Sequence, residues 1–327
     1  MEFAVLDIGG NFLGPALGLR ELGHEVRYWT WSSLEVIQEV ADLAGILEAD
    51  PVFESDVLLY SAPFSDEQWA SELGIQSDAE LRPEEPLFCT AHPGQAEYRN
   101  RWITDQIGVG QALVLCDMGD NPSTSSPFFL ETPALRLKRE LLPWASHSGI
   151  LSFPYLYEPH LLHAELTGLL DQLREDAPNL VPRHEALFAG TVEHWRYMGR
   201  RASLLQQWQD HNSDLPLRTL EGGGSLLETW RELLGAELAL SLPGRGELCF
   251  RHHELAALAV PALSLEEFRI EVPQAFRQAF PTSRNQVLDV RAMATFYAHH
   301  YHPSRAATQL LGLIATSLPL TPFRPIS

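Results

Sequence analysis

The stretch Ser241-Leu-Pro-Gly-Arg-Gly-Glu-Leu-Cys-Phe-Arg251-His-His-Glu254-Leu-Ala-Ala-Leu-Ala-Val-Pro261 decides how the chain is read. The apolar run from Ala236 to Leu242 predicts a strand, Pro243-Gly244-Arg245-Gly246 a tight loop, and Phe250 to Leu258 a helix. Strand, glycine loop and helix in that order form a unit of parallel α/β architecture. The N–H groups that open such a helix suit a diphosphate. Arg245 and Arg251 would add charge-assisted hydrogen bonds. Glu254 follows Arg251 by three residues, so both project from nearly one helix face. By spacing alone the pair is either a surface ion pair or an arginine for phosphate beside a carboxylate for ribose hydroxyls.

Working outward, the same cycle recurs. In the second half, residues 161–174 read as a helix, 186–189 as a strand ending at Gly190-Thr191, 200–210 as a helix and 215–220 as a strand. Ser225 caps a helix to Leu234, 261–265 is a strand, and helices over 288–299 and 303–317 close the chain. The first half opens with a strand over 2–7, a turn at Gly9-Gly10-Asn11, a helix over 14–22 and a strand over 25–31. Further strands are expected at 56–61, 87–90, 112–117 and 149–155. Helices are expected at 34–47, capped by Ser33, and at 66–73, 97–107 and 133–142. The expectation is an α/β chain of two Rossmann-like domains facing across a cleft. Residues 1–158 form the first domain, 159–302 the second, and 303–327 return to the first.

The chain has 327 residues, 45% of them hydrophobic, enough for two cores. It carries 43 acidic and 23 basic side chains, a formal net charge of −20. Residues 1–150 hold 24 acidic and 8 basic side chains, so the second half is the better equipped for an anion. That balance disfavours duplex nucleic acid and anionic membrane surfaces. No apolar run is long enough to span a bilayer, and the opening residues lack the basic region of a signal peptide. Cys89, Cys116 and Cys249 are too far apart for a disulfide framework or a zinc site. A cytoplasmic protein is expected.

The quoted stretch resembles the C-terminal donor-binding motif of GT-B glycosyltransferases, most nearly the exostosin-like and CgeB-like families. Their pattern of Gly-x-Gly, an Arg, a Glu three residues on, small residues and Gly-x-Pro-Val reads here as Gly244-Arg-Gly246, Arg251, Glu254, Ala256-Ala257 and Ala259-Val-Pro261-Ala262. Ala259 stands where the family usually has Gly, and Gly246 takes the place of the first of the paired glutamates found in many retaining members. Phe188-Ala-Gly190-Thr191, with Arg196 and Arg200-Arg201, resembles the first strand and loop of the family's donor domain. Asp117-Met-Gly-Asp120 followed by Leu135-Arg-Leu-Lys138-Arg139-Glu140 resembles the end of its N-terminal domain, and Gly9-Gly10-Asn11 with Gly23-His-Glu-Val26 its start. The resemblance implies a nucleoside-diphosphate sugar as co-substrate. Gly190, Thr191, Arg196, Arg201, Gly244, Arg245, Gly246, Arg251 and Glu254 would hold it, and Gly9, Gly10 and Asn11 would face the acceptor or the sugar.

Such a transfer needs the leaving diphosphate stabilised and an acceptor hydroxyl deprotonated. Arginines and backbone N–H groups serve the first need, so no metal or other cofactor is expected. Asp120, at a strand end in the acidic half, is the first candidate base, and His92 in Thr90-Ala-His-Pro-Gly94 the second. Asp7 would orient the first glycine turn. His299-His300-Tyr301-His302 reads as a helix end rather than a metal site. A noncatalytic nucleotide- or sugar-binding protein is the alternative. A nicotinamide oxidoreductase is disfavoured, since Gly9, Asn11 and Gly14 miss the middle glycine of Gly-x-Gly-x-x-Gly.

Overall fold

The computed structural model describes residues 1–32, 34–62, 111–119, 134–192, 199–221, 225–242 and 247–318. The chain divides into two compact units, Met1–Pro159 with Pro303–Ser327, and His160–His302.

The first unit is a six-stranded, all-parallel sheet. Its strands are β1 (Glu2–Asp7), β2 (Glu25–Thr30), β3 (Val57–Ala62), β4 (Ala112–Asp117), β5 (Ala134–Lys138) and β6 (Ile150–Ser152), in the order β2-β1-β3-β4-β5-β6. β1 and β3 are buried nearly throughout, as strands covered on both faces must be, which is why they read as apolar runs without alternation. Helix α1 (Leu13–Glu21) follows β1, and α2 (Glu35–Leu43) follows β2. The expected cap of α2, Ser33, lies outside the described residues, and Leu34 occupies the cap position.

Residues 134–138 correct the sequence reading. The basic cluster at 136–139 suggested a helix, but Leu135 and Leu137 alternate with Arg136 and pair in parallel with β4. Expectations over 66–73, 87–90 and 97–107 lie outside the described residues.

The second unit has four parallel strands, β7 (Arg183–Ala189), β8 (Leu217–Leu220), β9 (Ala236–Ser241) and β10 (Ala262–Ser264), in the order β10-β9-β7-β8. The helix expected over 161–174 is two, α3 (Pro159–Leu166) and α4 (Leu169–Asp176). They are separated at Gly168, whose φ of 76° is left-handed and ends the first. Then come α5 (Arg200–His211), α6 (Leu226–Gly235), α7 (Phe250–Ala257), α8 (Gln274–Ala279) and α9 (Val290–Phe296), which runs into a π turn over Tyr297–Tyr301. α6 starts with a reciprocal cap: Ser225 Oγ accepts the Glu228 N–H, and the Glu228 carboxylate accepts the Ser225 N–H.

Helix α10 (Pro303–Ser317) belongs to the first unit and packs on α1. The contact is close because Gly18 has no side chain: a Cβ there would sit 2.1 Å from the Pro303 carbonyl oxygen.

Candidate functional site

In parallel sheets ligands lodge outside the carboxyl ends of the strands, where strand order reverses. In the second unit that point lies between β7 and β9, since β7 connects to β8 on one side and pairs with β9 on the other. The fold therefore sets Gly190-Thr191, after β7, beside the junction after β9.

Gly190 has a φ of 148°, open to glycine, and a Cβ there would press within 3.3 Å of the Phe188 ring. Thr191 is exposed. Arg201, in the first turn of α5, is nearly buried. Its Nη1 donates to the Thr191 carbonyl at 2.7 Å, and its guanidinium lies 5.7 Å from the Phe188 ring centre. Arg201 thus shapes the turn after β7.

Across the switch point, α7 carries Arg251 and Glu254. They form an ion pair, Arg251 Nη1 to Glu254 Oε2 at 2.7 Å, with side chains only 19% and 5% exposed. The other carboxylate oxygen accepts the indole N–H of Trp230 from α6 at 2.9 Å. A buried carboxylate is tolerable when it is paired with a charge and accepts a hydrogen bond; here Trp230 supplies the hydrogen bond, and Arg251 Nη1 faces the carboxylate as an ion pair without an aligned hydrogen bond. Glu254 keeps lone pairs for a ligand hydroxyl, and the guanidinium carries five N–H groups.

Sequence reasoning missed how α7 is anchored. The Cys249 N–H donates to His252 Nδ1 at 3.1 Å, and His252 Nε2 meets Ser241 Oγ at 3.0 Å. The His252 ring is buried between Phe268 and Phe280, and it ties the end of β9 to the first turn of the helix. A histidine three residues after a would-be cap was the available signal. The Cys249 thiol is held below its usual pKa. Burial pushes it up, but the adjacent His252 at 3.4 Å, the Arg251 N–H and the charge of Arg201 together outweigh that.

The far end of α7 explains the departure at Ala259. The Ala259 N–H bonds to the Ala256 carbonyl and the Val260 N–H to the Leu255 carbonyl, a Schellman arrangement. Its left-handed residue is Ala259, with φ of 56°, the one non-glycine with positive φ among the described residues. Glycine suits that position without strain.

On α7 itself, the His253 imidazole is fully buried against Tyr297 and Tyr301, and desolvation lowers its pKa to about 3. His302 Nε2 lies 3.4 Å from Glu165, which also accepts the Tyr297 hydroxyl at 2.9 Å. Together with Tyr297, His302 holds Glu165 below the ordinary carboxylate range against the opposing effect of burial. His299 and His300 are exposed on the π turn.

In the first unit the strand order reverses between β1 and β3. Here Asp7 closes β1 and Gly9-Gly10-Asn11 follows. Gly10 has a φ of 73°, and a Cβ there would sit 2.1 Å from the Ile37 side chain, so only glycine fits. Asp7 Oδ2 accepts the Phe12 N–H at 2.6 Å and the Tyr28 hydroxyl at 2.8 Å, which fixes the turn. Burial raises the Asp7 pKa to about 6 despite these donors. His92, Asp120, Arg196, Gly244, Arg245 and Gly246 lie outside the described residues. Among the described residues, no three His, Cys, Asp or Glu side chains group as a metal site, and no helix is long and apolar enough to cross a membrane.

No protein-family model and no curated protein matches the chain. Solved structures do. An α-glucosyltransferase in complex with UDP-glucose and DNA containing an abasic site is 9% identical, covering 96% of this chain and 99% of that one at a TM-score of 0.51. The UDP-GlcNAc 2-epimerase of Methanocaldococcus jannaschii, in complex with UDP-GlcNAc and UDP, is 9% identical over 97% and 100% at 0.40. The MnaA–UDP structure of S. aureus is 10% identical over 99% of each chain at 0.44. At such identities the likeness is one of architecture: the chain has the α/β fold of two Rossmann-like domains, the GT-B class.

Proposed function

We propose that the chain is a glycosyltransferase that moves a sugar from a nucleoside-diphosphate donor to an acceptor hydroxyl, without a metal. The observation that carries this reading is the largely buried Arg251–Glu254 pair in the N-terminal half of α7, beside the strand-order reversal of the second unit. Within the GT-B class, that Arg and Glu three residues apart match the exostosin-like and CgeB-like motif residue for residue. The left-handed backbone at Ala259 fits the glycine those families place there.

In this reading the diphosphate rests on the N–H groups opening α7 and on Arg251, with Arg245 and Arg196 adding positive charge from their loops. Glu254 takes the ribose hydroxyls. Charge developing on the diphosphate as the sugar leaves is met by preorganised donors. The first unit receives the acceptor near Gly9-Gly10-Asn11, and Asp120, or else His92, removes the acceptor proton. The α-glucosyltransferase of the same fold was solved with DNA. The net charge of −20 here favours a neutral or cationic acceptor over a polyanion.

Thermal-shift measurements with UDP, GDP, TDP, ADP and NAD, followed by assays of nucleotide-sugar hydrolysis, test the reading. A nucleoside diphosphate should raise the melting temperature, and Arg251→Gln should abolish that shift. Stabilisation by NAD alone would overturn it. Nucleotide binding with no turnover of any sugar nucleotide would leave a binding protein instead.

A further inference from the structure

A cleft of about 750 Å³ opens in the second unit between α8, the short helical turn Arg284–Gln286, and α9 with its π turn. That volume falls in the range of pockets that take a small ligand. Its floor is fixed by packing before any ligand arrives. Phe296 is buried, its ring edge-on to Phe276 at 5.3 Å and to Phe280 at 5.9 Å. The π turn supplies the rim. The His302 N–H reaches back five residues to the Tyr297 carbonyl at 2.7 Å, so that Tyr297 and Tyr301 are both buried while residues 298–300 are exposed. The His300 ring stacks beside Phe296, with centroids 6.0 Å and planes 26° apart. Such turns are rare and recur at functional sites.

Three carboxamides line the cleft: Gln274 and Gln278, one turn apart on α8, and Gln286 at the end of the short helical turn. None of these side chains is hydrogen-bonded to a described residue. Each offers two donors and an acceptor. Among the described lining residues there is no carboxylate, in a chain with 43 acidic and 23 basic side chains. The lining arginine, Arg277, is engaged with the protein itself: Nη1 donates to the Phe268 carbonyl at 2.5 Å and Nη2 to the Ile270 carbonyl at 2.9 Å. With no carboxylate on its wall and its arginine engaged, the cleft suits an uncharged ligand better than a cation or a phosphate. Hydroxyl groups pair with carboxamides, and the C–H face of a sugar ring packs on the electron-rich face of an aromatic ring. We propose that this cleft is a binding site for a neutral saccharide, distinct from the nucleotide junction at α7 and independent of the transferase reading.

A glycan array of neutral and acidic oligosaccharides, probed with the full chain, finds the ligand. Calorimetry then compares the best-retained glycan on the parent, on Gln278→Ala and on His300→Ala, with and without the nucleoside diphosphate that gives the largest thermal shift. Both side chains are exposed, so neither substitution opens the core. A neutral glycan should be retained, and each substitution should weaken it about tenfold or more. The thermal shift given by the nucleotide should stay as in the parent. Retention of no glycan, or of acidic glycans only, would overturn the proposal. So would variants that bind the glycan as tightly as the parent does. Displacement of the glycan by the nucleoside diphosphate would overturn it too, by placing the sugar at the α7 junction. If no nucleotide shifts the melting temperature, the transferase reading fails while the glycan result stands on its own.

Discussion

Replacing Asp7 with asparagine should stabilise the first unit at neutral pH and leave it unchanged in acid. The Asp7 carboxyl is fully buried at the end of β1, and burial raises its pKa from 3.8 to about 6. A raised folded-state pKa means that the native state binds the proton more tightly than the unfolded chain. The associated stability is complete below pH 3.8 and is lost as pH rises through 6. At about 1.4 kcal/mol per pH unit, the ionised carboxylate costs roughly 3 kcal/mol above pH 6 relative to its protonated form. Asparagine resembles that form. Its oxygen can accept the Phe12 N–H and the Tyr28 hydroxyl, and its amide faces Ser61, the residue in register on β3, whose hydroxyl has no aligned partner. Urea denaturation followed by amide exchange in peptides spanning β1 and β3, at pH 4, 5, 6 and 8, measures the difference for this unit alone. The variant should match the parent near pH 4 and exceed it by about 1–3 kcal/mol at pH 8. A variant less stable than the parent at pH 8, or a difference that does not change with pH, would refute the electrostatic reasoning.

Other outcomes follow from the second unit. His253→Phe should flatten its acid limb: the buried imidazole stays neutral to about pH 3 while the unfolded chain protonates below 6.5, so stability falls by about 1.4 kcal/mol per unit across that window in the parent only. Ala259→Gly should stabilise by about 0.5–1 kcal/mol, since left-handed backbone strains alanine more than glycine's extra unfolded-state entropy costs. Trp230→Phe removes a donor to the buried Glu254, and should lower unit-two stability by about 1–3 kcal/mol and weaken nucleotide binding in calorimetry. His252→Ala should destabilise by about 1–2 kcal/mol through loss of the cap and of the Ser241 contact, read in the same urea series.

The parts legible in the sequence are those governed by local rules. β1, β4 and β9 announce themselves as short apolar runs because both faces are covered. Ser225 with Glu228 marks the start of α6, and α10 runs from Pro303 to Ser317 as its pattern predicts. What failed depended on tertiary context. At 134–138 the alternation of Leu135 and Leu137 with Arg136 and Lys138 spans only five residues, too few to distinguish a period of two from one of 3.6 once Arg139 and Glu140 follow it. The charges there are buried by pairing across strands, which no local pattern encodes. Gly168 stood inside an amphipathic pattern and was absorbed into one helix, although its backbone is left-handed. In the site, Arg251 and Glu254 could be placed on one helix face from spacing, while Trp230, on the preceding helix and 24 residues earlier in the chain, had no sequence signal linking it to Glu254. Arg201 was chosen for its charge, and the structure shows its Nη1 on the Thr191 carbonyl.

The most direct test is a crystal structure with the nucleoside diphosphate that gives the largest thermal shift. The account places the diphosphate within about 3.5 Å of the Arg251 guanidinium and of the N–H groups opening α7, with the ribose hydroxyls on Glu254. A nucleotide bound at the Gly9-Gly10-Asn11 turn instead, or one that leaves Arg251 and Glu254 untouched, would contradict it.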